Sequence, residues 1–152
     1  MTEDDILIFL ADDDEDDRLI FNEAIAEISS KVDVKEASDG LKLIKLLNET
    51  SRLPDIIFLD LNMPFQSGKE TLKALRSNKA FKNIPVVIYS TSANPMDIEE
   101  TYRLGASLYL EKPYSMAVMI RKLEHILAHK WEVVSNIDRK DYFISSKEVS
   151  NR

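Results

Sequence analysis

Five stretches of this chain are apolar or alternate at a two-residue period, and each is followed by a segment whose apolar residues recur at helical spacing. Ile6 to Ala11 is a continuous apolar run, the pattern of a strand buried on both faces rather than one with a wet side. Phe21, Ala24, Ile25 and Ile28 then predict a helix from near Asp14 to about Ser29. Val32, Val34 and Ala37 alternate with polar residues, which predicts a shorter strand nearer a sheet edge. Ser38-Asp39-Gly40 caps a helix whose apolar face is Leu43, Ile44 and Leu47. After Pro54 a third run, Ile56 to Leu59, ends abruptly at the carboxylate of Asp60, and Pro64 prevents the strand from continuing. The loop Met63 to Gly68 leads into a helix carrying Leu72 and Leu75 on its inner side.

Pro85 to Tyr89 forms the fourth strand and closes on Ser90-Thr91-Ser92. Asn94-Pro95 is a helix start, an N-cap residue followed by proline at the first helical position, and Gly105 stops that helix. Leu108 to Leu110 is a short fifth strand ended by Lys112-Pro113, and Val118, Met119, Leu123, Ile126 and Leu127 mark a last helix. Five strands alternating with five helices call for an α/β fold, a doubly wound parallel sheet covered on both faces by right-handed crossovers. In such folds the chemistry lies in the crevice outside the carboxyl ends of the strands. The residues at those ends are Asp12 and Asp13, Asp60, Ser90 and Lys112, so four strand ends converge on one site.

Asp12-Asp13-Asp14-Glu15-Asp16-Asp17 is the densest charge run. Capping and the helix macrodipole account for Asp14 to Asp17, since carboxylates are favourable near exposed N–H groups. They do not account for Asp12 and Asp13, which precede the helix. Crowded carboxylates repel unless protons or a cation neutralise them, and a hard divalent ion with oxygen ligands is the natural solution.

At 152 residues the chain is long enough for one domain with a full core and too short for two ordinary ones. It contains no cysteine, which rules out disulfides and thiolate metal sites. The opening Met1-Thr2-Glu3-Asp4-Asp5 is acidic where a signal peptide would be basic and then apolar, and no apolar run approaches a membrane-spanning length; the expectation is a cytoplasmic protein with no membrane partner. A net charge of -7 argues against non-specific nucleic-acid binding, which draws most of its affinity from Lys and Arg on phosphates.

Together, Asp12-Asp13, the run Leu59-Asp60-Leu61-Asn62-Met63-Pro64, Ser90 and the Lys112-Pro113 pair resemble the active site of a bacterial two-component response-regulator receiver domain, of the stand-alone type. The resemblance covers residues 6 to about 128. It implies a flavodoxin-like sheet of strand order 2-1-3-4-5 with five helices, and a phosphorelay signalling role rather than an enzyme acting on a separate substrate. It implies that Asp60 accepts a phosphoryl group from a sensor histidine kinase or histidine phosphotransfer protein. Asp13, Asp60 and the backbone carbonyl of Asn62 would hold Mg²⁺, with Asp12 acting through a bound water. Lys112 and Ser90 would each contact a phosphoryl oxygen, and Tyr109 matches the aromatic that swings inward when the hydroxyl at the Ser90 position moves. Two residues depart from the family pattern: Thr91 would narrow the mouth of the site, and Phe65 is an aromatic that either contacts a partner or packs down.

Other functions fit less well. A constitutive interaction module with this fold usually lacks an acid or the lysine, and this chain retains both. An FMN protein needs a Ser/Thr/Gly-rich phosphate loop after the first strand, where this chain is acidic. A phosphatase or transferase with an aspartyl-phosphate intermediate would need a second acid/base position in the loop after Asp60. The expectation is a receiver over residues 1–130 followed by a C-terminal extension, 131–152, and no separate output domain. Trp131, Val133, Val134, Ile137, Tyr142, Phe143 and Ile144 make that extension more apolar than a disordered tail needs, so it is expected to dock on its own domain or on a second copy in a homodimer.

Overall fold

The structure, a computed structural model, describes residues 5–128 and 138–147. In chain order the elements are β1 Ile6–Ala11, α1 Glu15–Ile28, β2 Val32–Ala37, α2 Gly40–Glu49, β3 Ile56–Leu59, α3 Gly68–Ser77, β4 Val86–Ser90, α4 Pro95–Arg103, β5 Leu108–Glu111, α5 Met116–Ala128, α6 Arg139–Tyr142 and β6 Phe143–Ile144. The sheet runs β2-β1-β3-β4-β5-β6 with every pairing parallel, so the alternating strand Val32–Ala37 does lie at an edge.

The helices start where the local chemistry favours them. Asp14 caps α1 through its carboxylate, which accepts from the backbone amides of Asp16 and Asp17, and Asn94 caps α4 with Pro95 in the first turn. Ser67 and Glu70 form a reciprocal capping box at the start of α3. Alternate residues of the central strands feed two cores. Phe9, Ile57, Leu59 and Ile88 meet Leu43, Leu47, Leu72 and Leu75 of α2 and α3 on one face. Ile8, Leu10, Phe58 and Tyr89 meet Phe21 and Ile25 of α1 and Met119, Leu123 and Ile126 of α5 on the other. Each fully buried side chain of this size contributes about 1.5–3 kcal/mol, so the strands are held from both sides.

Backbone bonds that continue just past the strands fix the residues at the carboxyl edge. Asp12 N–H donates to the Ala37 carbonyl (3.0 Å), Asp60 N–H to Ala11 (2.9 Å) and Lys112 N–H to Ser90 (2.8 Å). Gly68 sits where a Cβ would come within 2.2 Å of the Asp60 carbonyl oxygen, so only glycine lets α3 begin against the backbone of that residue.

The expected five strands and five helices are present, and residues 138–147 add to them. Phe143 and Ile144 pair with Tyr109 and Leu110 as a sixth strand, preceded by the single turn of α6. Two paired residues are too few for a period-two pattern to register in sequence. The docking expected of the extension is therefore met by Tyr142, Phe143 and Ile144, whereas Trp131, Val133, Val134 and Ile137 lie outside the described residues.

Candidate functional site

The crevice at the carboxyl ends of β1, β3 and β5 gathers Asp12, Asp13, Asp60 and Lys112. One carboxylate oxygen from each of Asp12, Asp13 and Asp60 lies within 4.8 Å of the others, with Asp12 and Asp60 buried and Asp13 exposed. Lys112, itself only 8% exposed, places its Nζ 2.8 Å from Asp12 Oδ2 and 3.5 Å from Asp60 Oδ2. The Asp60 carboxylate also accepts from the Leu61 amide at 2.8 Å. The Lys112 ammonium stands 5.0 Å from the centre of the Tyr89 ring, which gives the cation an apolar wall.

One cation does not balance these acids. Burial is the main reason the Asp60 carboxyl is pushed up to about 6; Lys112 opposes the shift and the Asp12 charge adds to it. Burial likewise raises Asp12 against the pull of Lys112. Burial by itself would lower Lys112, but the contacts with Asp12 and Asp17 and the charge of Asp60 outweigh it and hold the ammonium protonated. Asp12 Oδ2 is buried and accepts no well-aligned hydrogen bond, although the Lys112 ammonium stands 2.8 Å away. Excess buried carboxylate, an unfilled acceptor and oxygen-only donors are what a hard divalent cation requires, so the residues present fit one.

Two participants were not legible beforehand. Asp17, in the first turn of α1, binds Lys112 Nζ at 2.7 Å; in sequence it cannot be told from the other helix-start acids. Arg18 donates from Nη1 to the Asp12 carbonyl at 2.7 Å while its Nε bonds Glu36 on β2, pinning the acidic loop to the sheet edge. The chain position of Arg18, next to six acidic residues, was the available signal.

Ser90 is fully buried at the end of β4, and its hydroxyl accepts from the Ser92 amide at 3.1 Å. Asn62 is exposed, and its backbone bonds to the Asp60 carboxylate. Tyr109 is fully buried, and its hydroxyl donates to the Ser92 carbonyl at 2.9 Å. The loop after Ser90 is tied to α4 by the Ser92 hydroxyl, which donates to Asp97 at 2.7 Å, and Asp97 in turn pairs with Lys69 of α3 at 2.7 Å. Thr91 is exposed. Phe65 does not pack down: it is 83% exposed and holds a φ of 67°, the left-handed region, where a bulky side chain is strained.

The model of the response regulator receiver domain family matches residues 8–124. Response regulator Rcp1 of Synechocystis sp. is 29% identical over 134 residues, which cover 85% of this chain and 91% of Rcp1. Among solved structures, the phosphorylated cyanobacterial phytochrome response regulator RcpA superposes with a TM-score of 0.76 at 30% identity, covering 84% of this chain and 95% of RcpA. The Mn²⁺-bound form of Rcp1 gives a TM-score of 0.73 at 28% identity, covering 88% and 99%.

Proposed function

This chain belongs to the response regulator receiver domain family of two-component signalling, and from that premise we propose that it is a phosphorylation-controlled switch whose phosphoryl acceptor is Asp60. The observation that carries the reading is the convergence of Lys112, Asp12 and Asp13 on one strand-end carboxylate. With a pKa of about 6, Asp60 is mostly ionised at neutral pH, yet more basic than an ordinary carboxylate and so a better nucleophile. The Asp60 oxygen attacks phosphorus of a phosphohistidine; the P–N bond breaks, an acyl-phosphate P–O bond forms, and the departing imidazole nitrogen takes a proton. The donor is a sensor histidine kinase or histidine phosphotransfer protein.

Mg²⁺ held by Asp13, Asp60 and the Asn62 backbone carbonyl, with Asp12 acting through water, would supply positive charge to the transferring group. Lys112 contributes from the protein side. It leaves the Asp12 and Asp17 carboxylates to pair with a phosphoryl oxygen, where an ammonium stabilises charge that grows in the transition state. Ser90 donates its hydroxyl to a second oxygen, which turns it from the Ser92 amide. Ser90 and Tyr109 then carry the change to the face formed by α4, β5 and α5. The receiver occupies residues 1–130, with 131–152 as its extension, and acts in the cytoplasm.

Mass spectrometry after incubation with a phosphorylated histidine kinase and Mg²⁺ tests this reading. A single phosphoryl group on the parent and none on Asp60→Asn is the expected outcome. A label that persists in Asp60→Asn would overturn the assignment of the acceptor.

A further inference from the structure

The α4–β5–α5 face already has an occupant, which is residues 138–147 of the same chain. Tyr142 is 1% exposed, and its hydroxyl lies 2.6 Å from the Thr101 hydroxyl of α4. Its ring meets those of Tyr102 at 5.1 Å and Tyr109 at 6.2 Å, while Phe143 meets Tyr109 at 5.7 Å. Main-chain contacts reinforce the aromatic ones. The segment pairs with β5, the Ser146 amide donates to Glu111 at 2.9 Å, and Lys122 of α5 donates to the Ser145 and Lys147 carbonyls. All three elements of the face thus contribute to seating it.

Tyr109 touches both this segment and the loop after Ser90. Its hydroxyl hangs on the Ser92 carbonyl, and the Ser92 amide is held by the Ser90 hydroxyl. Ser92 also grips Asp97, in the first turn of the helix that carries Thr101. A displacement of Ser90 toward Asp60 therefore moves Ser92, and with it both the ring beneath Tyr142 and the helix that presents its hydroxyl partner.

We propose that residues 138–147 are a built-in cover of the α4–β5–α5 face, and that phosphorylation of Asp60 releases them by drawing Ser92 and Tyr109 away from Tyr142. The release step rests on the receiver reading above; the cover itself does not. The face becomes available to anything outside the chain only once the segment has left. A ligand-driven shift of this kind needs contacts that differ between two states, and the Tyr109–Tyr142 and Thr101–Tyr142 contacts supply them.

Hydrogen exchange on the full chain, with and without beryllofluoride plus Mg²⁺, tests the cover and its release. Without the mimic, residues 138–147 should be protected at all protein concentrations; with it, their exchange should quicken by about tenfold or more, since loss of one buried hydrogen bond and its ring contacts is worth at least that factor. Tyr142→Ala should exchange rapidly in this segment without the mimic. Protection that disappears on dilution would place the segment on a second copy and overturn the intramolecular cover, and so would a segment that stays protected in Tyr142→Ala. If exchange at residues 59–64 responds to the mimic while 138–147 does not, the release step is overturned and the receiver reading stands. No response at 59–64 would instead overturn the receiver reading together with the release step.

Discussion

In the strand-end crevice Lys112 is shared among Asp12, Asp17 and Asp60, whereas under the C-terminal segment the hydroxyls of Tyr109, Thr101 and Tyr142 each have a partner. Both places bury polar groups against apolar walls. In the crevice the result is an unfilled acceptor on Asp12 and a carboxyl on Asp60 pushed up to about 6. Around the Tyr142 ring the hydroxyls of Tyr109, Thr101 and Tyr142 are neutral and matched. A buried charge without full compensation is a store of free energy that a cation, a proton or a phosphoryl group can release, while a matched neutral network holds one geometry. The first region is thus built to accept something, and the second to report a change of shape. Removing groups from each side of the contrast should separate them.

The largest effect is expected from Lys112→Met, which keeps the stem and deletes the charge. Truncating one partner of a buried ionic cluster leaves the others uncompensated, and here three acids lose their shared cation; the expected loss is about 3 kcal/mol at neutral pH. Urea unfolding in the presence of EDTA measures it. Millimolar Mg²⁺ should recover part of the loss, because a ligand bound only by the folded state stabilises by mass action. A variant as stable as the parent without Mg²⁺ would mean the acids are not in conflict.

Asp60→Asn should act in the opposite direction. Burial raises the carboxyl from 3.8 to about 6, so its neutral form is the one that folds well. The favourable contribution is full below about pH 4 and is lost as pH rises through about 6. An uncharged amide keeps that contribution at every pH, so metal-free Asp60→Asn should exceed the parent by about 2 kcal/mol at pH 8, with the difference shrinking toward zero near pH 4. Paired urea titrations across that range give the comparison directly. A stabilisation that does not vary with pH would remove Asp60 as its source.

The same contrast explains what could be read in advance. The sheet was legible because its strands are buried on both faces and so run as unbroken apolar stretches, Ile6–Ala11 and Ile56–Leu59 most clearly. The crevice residues were legible because each follows such a run. Asp17 was hidden by redundancy, since an acid in a first helical turn has an ordinary reason to be there whether or not it also grips Lys112. The seat of Tyr142 was hidden for another reason. Its partners, Thr101, Tyr102 and Tyr109, lie on α4 and β5, and nothing local in 138–147 indicates which surface the segment will meet. Periodicity reports the element and the face it buries; it carries no information on tertiary partners that are distant in sequence.

The smallest expected effect is also the most selective. Tyr142→Phe keeps the ring and its contacts with Tyr102 and Tyr109 but deletes the hydroxyl that meets Thr101. A buried neutral hydrogen bond contributes about 1 kcal/mol net, so exchange of the 138–147 amides should quicken by about fivefold. Thr101→Val should do the same, although its hydroxyl also bonds the Asp97 carbonyl at 2.8 Å, which makes its cost somewhat larger. Because the two hydroxyls serve one another, the double variant should cost less than the sum of the single ones, the mark of a direct interaction. Mg²⁺ affinity and the pH dependence assigned to Asp60 should be unaltered in Tyr142→Phe, since no polar contact of Tyr142 reaches the crevice directly. Strict additivity of the two substitutions would mean that the Thr101–Tyr142 bond does not form, and would leave the segment attached by the aromatic contacts, the β5 pairing, the Ser146 and Lys122 hydrogen bonds and the Arg139–Glu99 pair.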